Sequence, residues 1–411
     1  MPPFPLPISE LLGHNSQYIV YLIIGFAFGY VLEISAFANA PVLAAQFYLK
    51  DMTVLKVMFG AIVTAMVLIF LSTAVGLLDY SLVYVNPTYL WPGIIGGLIM
   101  GFGFILGGFC PGTSLVSAAV AKLDGVIFVL GVLFGIFAFG ETVQYFEDFW
   151  YSSYLGRFTL PELFGVSTGW VVVGIVLMAL FMFWGAEQLE HIFGHKDLSK
   201  EPKWRYGAAA VLLAGAFLVL ILGQPSTEQK WSQMEETEAP RLANREVQIS
   251  PAELLSTSYD DTLKLILLDI RSEADYNQFH LREAQHVTPE QLPELAVALH
   301  DEPANAIVVV MGNDEAAATE AWRTLRAEGT QNLYILEGGV NNWITTFADD
   351  DFKTTNSITG ATDDSLAFTF PTALGAGYAF AAPNEKAAEG LNFTPKIQLE
   401  LKRGPGGGGC G

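Results

Sequence analysis

The sequence predicts a polytopic α-helical membrane domain with an internal repeat and broken helices, joined to a soluble α/β domain. Three observations carry this reading. Apolar residues make up 52% of the 411 residues, charged residues only 15%, and mean hydropathy is +0.39. Such a composition belongs to membrane proteins. The charge is split: residues 1–223 hold 13 acids and 8 Lys+Arg, whereas residues 224–411 hold 29 acids and 13 Lys+Arg. Finally, apolar units repeat in the first half, and strand-like runs alternate with helical patterns in the second.

The candidate spans are residues 18–36, 54–78, 91–109, 126–142, 166–186 and 206–222. Each is about long enough to cross a hydrocarbon core of ~30 Å at ~1.5 Å per residue. Two shorter apolar stretches, 38–49 and 110–121, follow spans one and three. They are too short to cross alone and read as half-helices. Phe37-Ala38-Asn39-Ala40-Pro41 aligns with Phe109-Cys110-Pro111-Gly112-Thr113 at a constant offset of 72, and Lys50 then meets Lys122. Repeats broken at matching positions point to a transport site. The halves differ chemically, because Ala38 stands where the second repeat has Cys110.

Orientation follows from Lys and Arg. Lys50, Lys56, Lys122, Lys196, Lys200, Lys203 and Arg205 mark one side, while the opposite loops contain only Arg157. The basic side is expected to be cytoplasmic, which sends the domain after residue 222 outside. No Lys or Arg precedes Tyr18, so the positive n-region of a cleavable signal peptide is lacking. The acidic second half argues against nucleic acid as a partner.

The chain has two cysteines, and no bridge between them is expected. Cys110 lies in Gly107-Gly108-Phe109-Cys110-Pro111-Gly112-Thr113. It reads either as a small buried hydrophobe at a helix break or as a thiol lining a path. Glu33, in the first span, is a second candidate, because charge at membrane depth is costly. Cys410 ends a run of glycines, Gly404 to Gly409 with Pro405 inside it. A thiol on such a tether is a mobile nucleophile.

The Gly-Gly-Phe-Cys-Pro-Gly-Thr segment and its Gly-Phe-Gly-Phe approach resemble the YeeE/YedE sulfur-transport family of thiosulfate and polysulfide transporters. The resemblance implies a path in which a cysteine makes transient contacts with a sulfur anion. Of that family's path cysteines only Cys110 carries over, with Gly107, Gly108, Pro111, Gly112 and Thr113 around it and Ala38 and Asn39 as the repeat counterparts.

In the second half, Leu265–Leu268, Ala306–Val310 and Leu333–Leu336 read as buried strands, and Glu315–Glu328 as a helix closed by Gly329. Leu268-Asp269-Ile270-Arg271, Phe279-His280-Leu281-Arg282-Glu283-Ala284 and Leu336-Glu337-Gly338-Gly339 with Trp343 resemble the rhodanese-like family. The resemblance implies a sulfur-binding loop at Met311-Gly312-Asn313-Asp314-Glu315, where active members carry Cys and Arg. A thioether forms no persulfide, so this domain is expected to lack sulfurtransferase activity by itself. Phe393–Arg403 alternates apolar and polar residues and reads as a strand. The closing Gly-Gly-Cys-Gly resembles the sulfur-carrying arm of the periplasmic thiosulfate-oxidation carrier.

The resulting organisation is a sulfur-transport-like membrane domain at 1–190, a cytoplasmic loop and last span at 191–223, and a linker at 224–247. A rhodanese-like domain follows at 248–348, and an extension with the Cys tail at 349–411. The expected function is transport or capture of a reduced sulfur anion at a bacterial inner membrane, with presentation outside the cytoplasm by Cys410. The alternative is a non-conducting, membrane-anchored sulfur carrier. The expected partners are the bilayer, the anion and periplasmic sulfur-oxidation or sulfurtransferase proteins. No metal or cofactor is expected.

Overall fold

A computed structural model describes residues 4–399, apart from 7, 9–11, 14, 81–82, 84, 197–202, 301 and 361. Cys410 with its glycine run, and Lys200, lie outside the described residues. The chain divides into two compact units that meet in sequence at Gln224–Pro225.

Among the described residues of the first unit, six helices are long and apolar enough to cross a membrane. In chain order the elements are α1 (Gln17–Ile34), α2 (Ala40–Ala44), α3 (Thr53–Ala74), α4 (Leu90–Gly107), α5 (Pro111–Ala119), α6 (Leu123–Thr142), α7 (Thr168–Phe193) and α8 (Trp204–Leu222). α2 continues as a 3-10 turn over Ala45–Tyr48. The expected half-helices are therefore α2 with its turn, and α5. α1 buries none of its side chains, and its Ile, Leu and Phe residues stand exposed. In a bilayer such a largely apolar surface is covered by lipid, while every interior backbone group is satisfied within the helix.

Small residues bring α3, α7 and α8 together. A Cβ on Gly169 would lie 2.7 Å from Leu220 Cα, and one on Gly215 would lie 2.9 Å from Val67 Cγ1. Close backbone approach of this kind replaces the missing hydrophobic drive between helices in lipid. Glu190 near the end of α7 is fully buried. Its carboxylate accepts from the Met52 backbone N–H at 2.7 Å, just before α3, and pairs with Lys56 Nζ at 2.7 Å. Lys196 Nζ stands 3.7 Å away.

The second unit is built on a five-stranded, all-parallel sheet of order β1-β5-β4-β2-β3. Its strands are β1 (Gln248–Ile249), β2 (Lys264–Asp269), β3 (Gln285–His286), β4 (Ala306–Met311) and β5 (Leu333–Leu336). β4 is central, buried on both faces, and reads as the continuous apolar run expected of such a strand. Within residues 224–247, read as a linker, Thr227–Ala243 form α9, capped by Ser226. Trp231 on α9 packs edge-on to Trp322. Trp322 lies on α10 (Ala316–Ala327), which covers one face of the sheet and stops at Gly329 with φ 89°.

The extension after Trp343 joins the same core. Phe368 and Phe380 are buried, and Phe370 and Tyr378 pack against them with Phe279 and Phe352. Trp343 Nε1 donates to the Phe380 carbonyl oxygen at 2.7 Å. The strand expected from Phe393 onward is not formed by residues 393–399. Their backbone finds side chains instead. The N–H groups of Lys396 and Ile397 donate to Glu253, at 2.6 and 2.8 Å, and that of Gln398 to the Tyr334 hydroxyl at 2.8 Å. The alternation fits one buried face, yet a strand also needs a free backbone edge, and side chains take that role here. Residues 400–403 lie outside the described residues.

Candidate functional site

The offset of 72 seen in the sequence is reproduced in the backbone. α1 ends on Ala36 with φ 61°, and α4 on Gly108 with φ 71°. The half-helices end on Leu49 with φ 57° and Ala121 with φ 59°. Left-handed alanine and leucine cost about 1–3 kcal/mol each and persist only where surroundings impose them. The closing hydrogen bonds match as well. Lys50 N donates to Ala45 O, and Lys122 N to Ser117 O, at 3.2 and 3.1 Å. Leu49 N donates to Gln46 O, and Ala121 N to Ala118 O, at 3.1 and 2.9 Å.

The two breaks touch. Phe37 and Phe109, repeat equivalents, are buried in one cluster with Leu43 and Val54. A Cβ on Gly108 would lie 3.1 Å from Ala40 Cβ and 3.3 Å from its carbonyl oxygen. Gly107, on the last turn of α4, faces Phe128: a Cβ there would fall 2.2 Å from the ring. Gly108 lets the breaks close on each other, and Gly107 lets the Phe128 ring of α6 pack against the end of α4. Ala38 is fully buried, and Asn39 stands at the N-cap position of α2 without a side-chain cap hydrogen bond.

Cys110 sits at the N-cap of α5, with Pro111 in the first turn followed by Gly112. Its N–H donates to Thr113 Oγ1 at 3.0 Å, and its Sγ accepts from the Thr113 N–H at 3.4 Å. The thiol and the Thr113 hydroxyl are 3.3 Å apart. The sulfur thus lies half-buried at a helix N-terminus, where the backbone dipoles favour negative charge. Ser114 and Ser117, further along α5, are fully buried. Ser114 Oγ donates to the Pro111 carbonyl oxygen at 2.7 Å, whereas Ser117 Oγ has no partner. Glu33 stands exposed near the end of α1.

The Lys122 side chain crosses from the end of the second half-helix to the first break. Its Nζ donates to the Ala38 carbonyl oxygen at 3.1 Å and to Asn39 Oδ1. In the sequence this lysine served only to mark a membrane side. Its alignment with Lys50 was the available signal, but Lys50 makes no matching reach.

In the second unit, Met311 closes β4 and is fully buried. The loop after it is held by its neighbours. Val340 N donates to Gly312 O at 2.9 Å and Asn341 N to Asn313 O at 3.1 Å. A Cβ on Gly339 would lie 2.6 Å from both of those carbonyl oxygens, so glycine is required there. Asn313 Nδ2 donates to Asp275 Oδ2 and to the Asp364 carbonyl oxygen, each at 3.0 Å. Asp314 Oδ2 accepts from Asp364 N at 2.8 Å. Residues of the extension therefore lie over the loop.

Glu315 occupies the start of α10. Its carboxylate accepts from Gly338 N at 2.8 Å and from Arg245 at 2.7 and 3.1 Å. Arg245 also reaches Glu337 at 2.9 Å. The Glu315 hydrogen bond raises the Arg245 pKa above its already high value. The Asp-x-Arg pair is structural: Arg271 binds Asp269 through two nitrogens, at 2.6 and 2.9 Å, and donates to the Phe279 carbonyl oxygen at 2.6 Å. Both side chains are fully buried. Among the described residues no group of three or more His, Cys, Asp or Glu is arranged to hold a metal ion.

Comparison with known proteins agrees with the two-part organisation. A family described as sulphur transport matches residues 35–241, and a rhodanese-like domain matches residues 250–346. The thiosulfate transporter TsuA of Spirochaeta thermophila is 26% identical over 209 residues, which is 47% of this chain and 59% of that protein. The chain thus spans about three-fifths of that curated relative's length. No solved structure matches the chain.

Proposed function

Since the chain belongs to the sulphur transport family, we propose that its membrane unit moves a reduced sulfur anion, thiosulfate first among them, past the junction of its two broken helices. The observation that carries this reading is the contact of Gly108 with Ala40, which joins the breaks beside Cys110. A thiol at a helix N-terminus can donate to a passing anion, and no strong ligand holds the anion there. Gly107, Gly108, Pro111, Gly112 and Thr113 shape that spot, with Ala38 and Asn39 across from it. The likeness to a thiosulfate transporter supports the choice of anion.

The soluble unit acts outside the cytoplasm at a bacterial inner membrane. It docks sulfur-oxidation or sulfurtransferase proteins, and Cys410 presents sulfur to them. Its loop at Met311–Glu315 does no sulfurtransferase chemistry, because Met311 offers no thiol and two acids, Asp314 and Glu315, stand at the start of α10. A Cys410 thiolate can attack the sulfane sulfur of thiosulfate, releasing sulfite and leaving a persulfide. Intact mass measurement of the C-terminal peptide after thiosulfate and a sulfur-oxidising extract should show added sulfur atoms. A plain thiol or simple dimer would remove the carrier role.

Uptake of labelled thiosulfate, in cells with and without the full chain, tests transport directly; equal uptake would overturn it. The complete burial of Ala38 favours a second reading, a non-conducting membrane-anchored carrier. That reading expects Cys110→Ser to keep sulfur-oxidation activity and Cys410→Ser to abolish it.

A further inference from the structure

We infer that Lys122 is the anion-binding cation of the membrane unit, a residue that selects the charge of what passes the two breaks. The inference rests on the transport reading above and names the group that would hold the anion.

A lysine in this setting needs a counter-charge. Ammonium groups away from water are normally paired with carboxylates, because the uncompensated charge is expensive. Lys122 is half-buried, and its recorded partners are the Ala38 carbonyl oxygen at 3.1 Å and Asn39 Oδ1. Both are neutral. Among the described residues no carboxylate forms an ion pair with it. Asp124, two residues on, turns its Oδ1 to the N–H of Gly125. The contrast with Glu190 is plain, since that buried carboxylate has Lys56 at 2.7 Å. An ammonium that rests on neutral acceptors keeps most of its positive potential, and so it attracts an anion.

The placement points the same way. Lys122 follows the second half-helix but donates to the first break. That break packs on Gly108, two residues before Cys110. Lys122 N closes its half-helix on the Ser117 carbonyl oxygen. The repeat shows that this is not a general feature of the fold. Lys50, the counterpart of Lys122, has the same backbone closure but does not reach the opposite break. One cation per repeat pair is thereby committed to the junction.

An arriving anion replaces one neutral acceptor. Lys122 leaves either the Ala38 carbonyl oxygen or Asn39 and takes a charged oxygen or sulfur in its stead. Nothing covalent changes, and no proton has to move. Departure of the anion restores the neutral contacts, which keeps the ammonium from being left bare.

The test uses the full chain in cells and, after purification, in detergent. The two readouts are the KM for labelled thiosulfate uptake and the rise in unfolding temperature on adding thiosulfate. Lys122→Gln should raise KM at least about tenfold, the loss of one charge-assisted hydrogen bond, and abolish the thiosulfate-dependent rise. Lys122→Arg should restore most of both. Asn39→Asp separates binding from a merely structural tether and stands in if Lys122→Gln does not fold. It places a carboxylate beside Lys122, so it should preserve or raise basal thermal stability while weakening uptake and thiosulfate stabilisation. If Lys122 only ties the half-helix down, Asn39→Asp would leave uptake at the wild-type level, and that result overturns the inference. Wild-type uptake with an unchanged KM in Lys122→Gln also overturns it and leaves the transport reading intact. Absence of wild-type uptake, together with thiosulfate stabilisation that Lys122→Gln removes, would overturn transport and retain the site.

Discussion

Arg245 grips both carboxylate oxygens of Glu315, at 2.7 and 3.1 Å, across 70 residues of sequence. Glu315 is the N-cap residue of α10, and the Ala316 N–H of its first turn donates to Asp314 Oδ1 at 2.8 Å, so two acids stand where N–H groups would otherwise attract an anion. With the extension lying over Asn313 and Asp314, the loop at the end of β4 is closed by the protein's own residues. The loop that the rhodanese-like domain places at the end of β4 is thus occupied from within.

That closure carries a pH signature. Asp364 bonds through its backbone to Asp314, and its own carboxyl pKa is raised by desolvation, then by the charges of Asp314 and Asp275. A carboxyl whose folded pKa exceeds the unfolded one binds its proton more tightly when folded. Stability therefore falls as pH rises from the ordinary carboxylate range through the raised value, and the penalty is complete above it. Asp364→Asn should raise the unfolding temperature at pH ~7, and the pH-dependent part of that gain should vanish below the ordinary aspartate pKa of ~3.9. Asn also tolerates the left-handed φ of 57° at this position. A gain that is the same at every pH would mean that only backbone fit had improved.

The buried carboxylate of Glu190 should anchor the membrane unit. Glu190→Ala leaves Lys56 and the Met52 N–H without their partner. Breaking a buried pair from one side costs about 3–5 kcal/mol. The purified variant should unfold well below the wild type in detergent. A difference within ~0.5 kcal/mol, the usual effect of surface substitutions, would show that water reaches Glu190.

Cys110 should be needed for uptake and dispensable for folding. Cys110→Ser keeps the size and offers a better N-cap for α5. Cys110→Ala loses the sulfur contact to Thr113 N, a cap worth about 1 kcal/mol. Both variants should assemble in the membrane, and both should take up thiosulfate several-fold more slowly. Unchanged uptake in both would make Cys110 a packing residue.

The soluble unit should lie outside the cytoplasm. Lys196 and Lys203 fall between α7 and α8 and Arg205 in the first turn of α8, opposite in topology to everything after α8. A membrane-impermeant maleimide should label Cys410 on intact spheroplasts. Labelling only after lysis would reverse the orientation.

Much of this protein is legible from its sequence. Long apolar runs located the spans, and a constant offset of 72 located both breaks. The β2, β4 and β5 runs announced a buried parallel sheet, and Gly329 marked the end of α10. These features depend on residues close in sequence, whose periodicity and φ preferences act locally. Residues 393–399 show the limit of that reasoning. Their alternation was genuine, but Glu253 and Tyr334, distant in sequence, took the backbone groups that a neighbouring strand would need.

The sequence by itself determined the two-part architecture, the repeat, and the placing of Cys110 at a broken helix. Only the tertiary structure decided that Phe37 and Phe109 share one cluster, that Lys122 reaches Ala38 across 84 residues, and that Glu315 rather than an outside anion meets Arg245. The physical reason is the range of the forces involved. Backbone preference and burial pattern are written residue by residue, whereas a charge finds its partner by packing, and packing joins segments that the sequence keeps far apart.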